Sequence, residues 1–237
     1  MMSDRADPFA GLVGVHQQLV RGRDGFSCGP VLYPEPQRQG DEWRPSFEHE
    51  AYQAVDPGAL KLGGTESFHD LEDATVEAAI LKVVDAEGPV HFRVLAERLL
   101  TAADVGRLGS RIRDRIAHHV DQLEARGDII RHDDGIGRPN QIRAPRVRDR
   151  SAMADKLRDL DYVPAVELMQ ALFQAVLDTE GVAIDDAMGR ALESLGFERL
   201  TENARDRLRP ALSTLVARDM LREESGQLWP GEKAFVR

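Results

Sequence analysis

The chain has 237 residues, 42% of them hydrophobic, 30% charged and only 5% aromatic. This supports one or two packed cores built on Leu, Val, Ile and Ala, and excludes wholesale disorder. No apolar run reaches the roughly 18 residues of a membrane span, the start lacks the basic-then-apolar order of a signal peptide, and Cys28 is the single cysteine, which excludes an internal disulfide. The expected setting is a reducing cytoplasm with no membrane contact.

The net charge of −10 argues against nonspecific coating of nucleic acid. The charge is uneven, however. Residues 1–75 carry −7, 76–106 carry −2, 107–150 carry +4 and 151–237 carry −5. All eleven cations of the 107–150 window are arginine.

Residues 1–67 read as an extended, partly disordered arm, because Pro8, Pro30, Pro34, Pro36, Pro45 and Pro57 interrupt any long helix. Within it Phe9 to Val20 predicts a brief helix with Leu12, Val15, His16 and Leu19 on one face. Trp43 to Phe47 and Tyr52 to Leu62 are the stretches expected to pack on a folded body. Regular structure is expected from Phe68. Val76, Ile80, Val83 and Val84 predict a helix over 75–86, stopped by Glu87-Gly88-Pro89. Val90 begins an extended step, and Leu95 and Leu99 predict a second helix over 92–100. After Gly106 and Gly109, Ser110 reads as the N-cap of a third helix. That helix runs to Arg126, buries Ile112, Ile116, Val120 and Leu123, and ends at Gly127. Residues 128–132 read as a strand, 133–140 as a turn-rich tip, and 141–144 as the returning strand.

The order then recurs. Residues 168–177 and 184–195 read as helices, with Glu180-Gly181 echoing Glu87-Gly88 at an offset of 93. Arg199-Leu200 and Ala204 to Leu208 match Arg107-Leu108 and Ile112 to Ile116 at an offset of 92. Asp219-Met220-Leu221-Arg222 matches Asp128-Ile129-Ile130-Arg131 after a one-residue deletion. Gly226 and Leu228-Trp229 close a hairpin. The expected fold is mainly α with small β-hairpins. It comprises tandem winged helix-turn-helix units over 68–147 and 163–237, joined by a linker over 148–162.

Glu87-Gly88-Pro89-Val90-His91 and Val105-Gly106-Arg107-Leu108-Gly109-Ser110-Arg111-Ile112-Arg113 together resemble a bacterial domain of unknown function. That domain, of winged-helix type, is found near the C-terminal end of large superfamily I helicase-like proteins. The resemblance covers about 68–145 well and 163–230 faintly. It implies a winged-helix body associated with DNA processing, and no established activity. This chain carries no helicase motor.

With Ile112, Ile116, Val120 and Leu123 inward, Arg111, Arg115, His118 and Gln122 form one outward stripe on the third helix. Arginine contacts guanine edges bidentately and glutamine contacts adenine. Arg113 and His119 flank the stripe and suit phosphates, and Arg107 and Ser110 complete the expected DNA-binding set. Arg138 and Arg143 are expected on the wing, and Arg146, Arg148 and Arg150 continue the positive track beyond it. An ordinary solvated helix face is the competing reading. The second unit mixes Arg205, Arg207 and Arg209 with Glu202 and Asp206, and its wing carries Glu223 and Glu224. It is expected to bind protein, a second copy included, or to be structural.

No phosphate loop is present; Gly135-Ile136-Gly137-Arg138 lacks the glycine and helix that dinucleotide binding requires. Adjacent His118 and His119 point about 100° apart, a poor pair of ligands for a tetrahedral metal. Glu72-Asp73 and Asp185-Asp186 sit where helix starts favour negative charge. The expectation is a non-enzyme without cofactor or metal. Two functions compete. One is a DNA-binding regulator, or an accessory subunit of a DNA-processing or defence assembly, located on the nucleoid. The other is an acidic adaptor that binds a helicase, nuclease or chromosome-organising ATPase without touching DNA.

Overall fold

The computed structural model describes the backbone of residues 37–39 and 42–44, and residues 50–63, 68–177, 179 and 181–235. The expected helix at Phe9 to Val20, the Trp43 to Phe47 patch as a packing element and Cys28 lie outside the described side chains. The chain is mainly helical with small sheets of two or three strands. Strands β1 (Gln37–Gln39) and β2 (Glu42–Arg44) pair antiparallel, and β3 (Glu50–Ala51) follows. Two compact units then stand out, one built on 52–142 and 155–164, the other on 50–51, 143–154 and 165–235.

The first unit is organised around α1 (Asp73–Glu87), whose Val76, Ala79, Ile80, Val83 and Val84 are at most 1% exposed. Their spacing makes one apolar stripe that faces the core. Gly88 ends the helix by donating to the Val84 carbonyl, and Pro89 follows. Strand β4 (Val90–His91) leads into α2 (Phe92–Ala102), where the His91 side chain accepts from the Arg93 amide at 3.1 Å. Next comes α3 (Ser110–Ala125), with Ile116, Val120 and Leu123 buried. Its N-cap is Gly109, not Ser110, and no side chain caps it. Gly127, with φ of 79°, turns the chain out of the helix.

Strands β5 (Ile130–His132) and β6 (Gly135–Gly137) complete an antiparallel sheet ordered β4-β6-β5. The returning strand is therefore the stretch expected as the tip. The stretch 141–144, expected as a strand, begins within a short helix, α4 (Pro139–Arg143). Two causes are visible. Proline is pre-set for the first turn of a helix, and the Gln141 side chain is held by Val84 and Arg138. Gly135 and Gly137 form a buried strand because Pro164 and Ile142 lie 3.2 Å from where their Cβ atoms would stand.

Structure also begins earlier than Phe68. Leu60 and Leu62 are buried in the first unit's core. Fully buried Glu87 accepts from the Tyr52 hydroxyl (2.7 Å), the Val55 amide (2.8 Å) and Arg98 Nε (2.8 Å).

The stretch 148–162, expected as a linker, is structured. Strand β7 (Arg148–Asp149) pairs parallel with β3. Arg148 and Arg150 converge on Glu167, all three buried, with their Nη2 atoms 2.7 and 2.6 Å from its Oε2. Leu157 is buried, and Tyr162 stacks on His91 at 5.3 Å between ring centroids.

The second unit holds α5 (Ala165–Leu177), β8 (Val182–Ala183), α6 (Ile184–Ser194), α7 (Glu202–Ala217), β9 (Leu221–Glu224) and β10 (Gln227–Pro230), with its sheet ordered β8-β10-β9. Its element starts Ala165, Val182, Ile184 and Glu202 each stand 92 residues after Asp73, Val90, Phe92 and Ser110. Strand register keeps the same offset: Val90 faces Ile136 as Val182 faces Leu228, and Arg131 faces Ile136 as Glu223 faces Leu228. The one-residue deletion expected before Asp219 is absent, because Asp219 takes the place of Gly127 and Met220 that of Asp128. Pro210 lies inside α7 and does not end it.

Candidate nucleic-acid interface

Helix α3 begins after an exposed loop in which Asp104 adopts a left-handed turn, φ 53°. Gly106 and Gly109 border open space. A helix start leaves amide groups without internal partners and carries the positive end of the helix dipole. Here the N-cap side chain is a hydrogen atom, so it fills none of them. Arg107, Ser110, Arg111 and Arg113 surround this start and all are exposed. Among the described residues none of these three arginines has an acidic partner. The arrangement presents three guanidinium groups and an open helix end to an anion.

The rest of the expected site is divided. Arg115 does not belong to the outward stripe. It donates to the carbonyls of Phe68 (2.6 Å) and Leu71 (2.5 Å) and to Asp73 Oδ1 (2.8 Å), and it lies 5.9 Å from the Phe68 ring centroid. The stretch leading into α1 folds over this part of α3 and takes the guanidinium. The hydrogen bond from Arg115 holds the Asp73 carboxyl below its ordinary value. His119, expected at a phosphate-facing flank, is buried at 2% exposure with its two ring nitrogens each 3.4 Å from Asp73 and Glu77. His118 and Gln122 are exposed and bond each other at 3.0 Å.

Arg138 is not a free wing residue either. It bonds Asp85 (2.6 Å) and the Asp128 carbonyl (2.6 Å) at the entry to α4, and the Asp85 contact raises its pKa. Arg143 ends α4, exposed, with no acidic partner among the described residues. Arg146 pairs with Glu50 at 3.1 Å. Arg126 pairs with Glu77 (2.7 Å) and Asp128 (3.0 Å), and Arg131 with Asp121 (2.8 Å) and Glu124. Hydrogen bonding to Arg126 lowers the Glu77 carboxyl; at Glu124 burial pushes upward and Arg131 overcomes it. With Arg148 and Arg150 buried on Glu167, seven of the eleven arginines in the basic window are paired within the protein. The candidate surface contracts to Arg107, Arg111 and Arg113 in the first unit, and Arg143 belongs to the second unit.

Among the described residues no group of three His, Cys, Asp or Glu is placed to hold a metal ion, and no helix is long and apolar enough to cross a membrane. The family profile described as "Protein of unknown function (DUF3320)" matches residues 66–114. That stretch spans α1, β4 and α2 and ends in the first turns of α3, so it contains both sequence pieces that carry the resemblance and all three unpaired arginines. No curated protein and no solved structure matches the chain.

Proposed function

We propose that the chain is a non-enzymatic tandem winged-helix protein whose first unit binds double-stranded DNA, as a regulator or as an accessory subunit of a DNA-processing or defence assembly. In this reading α2 and α3 are the helix-turn-helix, β5 and β6 the wing, and the start of α3 enters the major groove. The observation that carries it is the set Arg107, Arg111 and Arg113. Among the described residues these exposed arginines lack acidic partners at an uncapped helix start, in a basic window whose other arginines are mostly paired. In this reading Arg111 contacts base edges, and Arg107 and Arg113 hold phosphates. The wing turns at Asp133 and Asp134 and contributes no attraction for phosphate. The resemblance to a helicase-associated domain supports the DNA-processing setting.

The test is fluorescence anisotropy of the full chain with a labelled duplex at two salt concentrations. The two phosphate contacts of Arg107 and Arg113 give a log–log salt slope of about −1.8. Arg111→Ala with Arg113→Ala should weaken binding about tenfold or more. A folded double variant that binds as well as the parent, or a slope near zero, refutes the reading.

The acidic adaptor is the second reading, and one contrast favours it for the second unit. On α7, Arg205 pairs with Asp185 (3.0 Å) and Arg209 with Asp206 (3.4 Å), so the unpaired cluster of the first unit has no counterpart there. A partner helicase, nuclease or chromosome-organising ATPase held by a chain that retains no duplex would select this reading over the first.

A further inference from the structure

The constant offset of 92 allows each surface of one unit to be compared with its counterpart in the other. In the first unit the corner between α3 and the sheet is crossed by Arg131 of β5. Its guanidinium bonds Asp121 (2.8 Å) and both guanidinium and backbone amide reach Glu124. In the second unit the three corresponding positions are Glu223, Ser213 and Val216. The bridging cation is gone, and so are the carboxylates it bridged. What remains is an open groove of about 580 Å³ between α6, α7 and β9. Ile184, Met188, Leu212 and Val216 give it an apolar lining, and Glu223 stands at its edge.

The charge of the groove is set by pairing. Arg205 is neutralised by Asp185 and Arg209 by Asp206. Arg222, next to Glu223 in β9, pairs with Glu224 at 3.3 Å. Glu223 has no cationic partner among the described residues and is exposed. A partner complementary to this groove supplies apolar side chains for its lining and one cation for Glu223. In the first unit the protein supplies the cation for this corner itself, from β5.

We propose that this groove of the second unit docks a peptide segment of a partner protein, with apolar side chains seated between α6 and α7 and a lysine or arginine paired with Glu223. The proposal rests on the adaptor reading of the second unit and is independent of DNA binding by the first.

The test is selection of a phage-displayed library of random 16-residue peptides on the immobilised full chain. Enriched peptides should share two apolar residues one helical turn apart and a nearby Lys or Arg. Val216→Asp should weaken the best synthetic peptide about tenfold or more. Glu223→Lys, on an exposed strand position, should leave the fold intact and shift the preferred charge of selected peptides from Lys or Arg to Asp or Glu. Circular dichroism verifies that both variants are folded. Enriched peptides that bind both folded variants as they bind the parent overturn the groove and leave the adaptor reading standing. No enrichment overturns both. Sedimentation showing a dimer broken by Val216→Asp also overturns the proposal, because a second copy would then be the occupant.

Discussion

Gly127 and Asp219 stand 92 residues apart and hold the same left-handed turn, with φ of 79° and 61°, at the ends of α3 and α7. In each case the next amide reaches back to the helix: Asp128 donates to the Leu123 carbonyl and Met220 to the Leu215 carbonyl, both at 3.0 Å. The turn therefore recurs with different residues, and the cost of the left-handed conformation differs between them. Nothing lies within 4 Å of a Cβ added at Gly127, so a substitution there tests backbone strain alone. Gly127→Ala should destabilise the first unit by about 1 kcal/mol, and Gly127→Asn by less, because asparagine tolerates this region. Asp219→Gly should be neutral or stabilise the second unit by up to about 1 kcal/mol. Urea denaturation measures all three. An Ala variant as stable as the parent contradicts the strain assigned to this turn.

The second prediction concerns the buried Arg148–Glu167–Arg150 cluster. Burial alone would raise the Glu167 carboxyl, but the two guanidinium groups bring it down from 4.5 to about 2. A carboxyl depressed in the folded state stabilises that state above its unfolded value, near 4.5, and the contribution is lost as pH falls toward 2. The full effect is on the order of 3 kcal/mol. Glu167→Gln keeps the shape but leaves two buried cations facing an amide. It should cost about 3–5 kcal/mol at pH 7. It should also flatten the fall in stability between pH 4.5 and 2, and denaturation at pH 7, 4 and 2.5 reads both effects. An unchanged pH slope would show that Glu167 does not titrate in the way its surroundings dictate.

The sequence made the helices legible because their buried stripes are local. Val76, Ile80 and Val83, or Ile116, Val120 and Leu123, recur every three or four residues whatever packs on them. It also exposed the recurrence, but letter identity misled at two points. Asp219 matches Asp128 in type while sharing a backbone conformation with Gly127. Glu180-Gly181 echoes Glu87-Gly88 in letters, yet the register matches Val182 to Val90, so that Gly181 corresponds to Pro89 and not to Gly88. Strand β6 was hidden because Gly-Ile-Gly has the composition of a turn, and only the side chains of Pro164 and Ile142 explain why glycine belongs there. The candidate site was legible as a basic window and not as a surface. The pairs that remove Arg115, Arg126 and Arg138 reach back 42, 49 and 53 residues, and no local pattern reports contacts of that separation.

A third prediction follows from Gly88, where α1 gives way to β4. A Cβ there would lie 2.2 Å from Gln141 Oε1 and 2.5 Å from the Val84 carbonyl oxygen. A glutamine side chain can swing aside, but the carbonyl belongs to the helix and cannot move alone. Gly88→Ala should therefore destabilise by about 2 kcal/mol. Adding Gln141→Ala removes only one of the two collisions, so the double variant should remain clearly less stable than Gln141→Ala alone. Equal stability of those two variants would assign the whole effect to the side chain and exclude the carbonyl.

The last prediction separates fold from binding along a single helix. Arg111 and Arg115 are one turn apart on α3, yet Arg111 is exposed with no acidic partner among the described residues while Arg115 ties α3 to Phe68, Leu71 and Asp73. Arg115→Ala leaves two carbonyl groups without their donor and frees the stretch that leads into α1. It should cost about 1–3 kcal/mol in urea denaturation, with duplex affinity changed less than threefold at a temperature where the variant is folded. Arg111→Ala should do the opposite, with stability within about 0.5 kcal/mol of the parent and duplex affinity lowered about fivefold or more. Measuring both quantities on both variants makes the comparison decisive. If Arg115→Ala abolishes binding while the protein stays as stable as the parent, Arg115 faces the nucleic acid and its inward contacts are not those that hold the protein in solution.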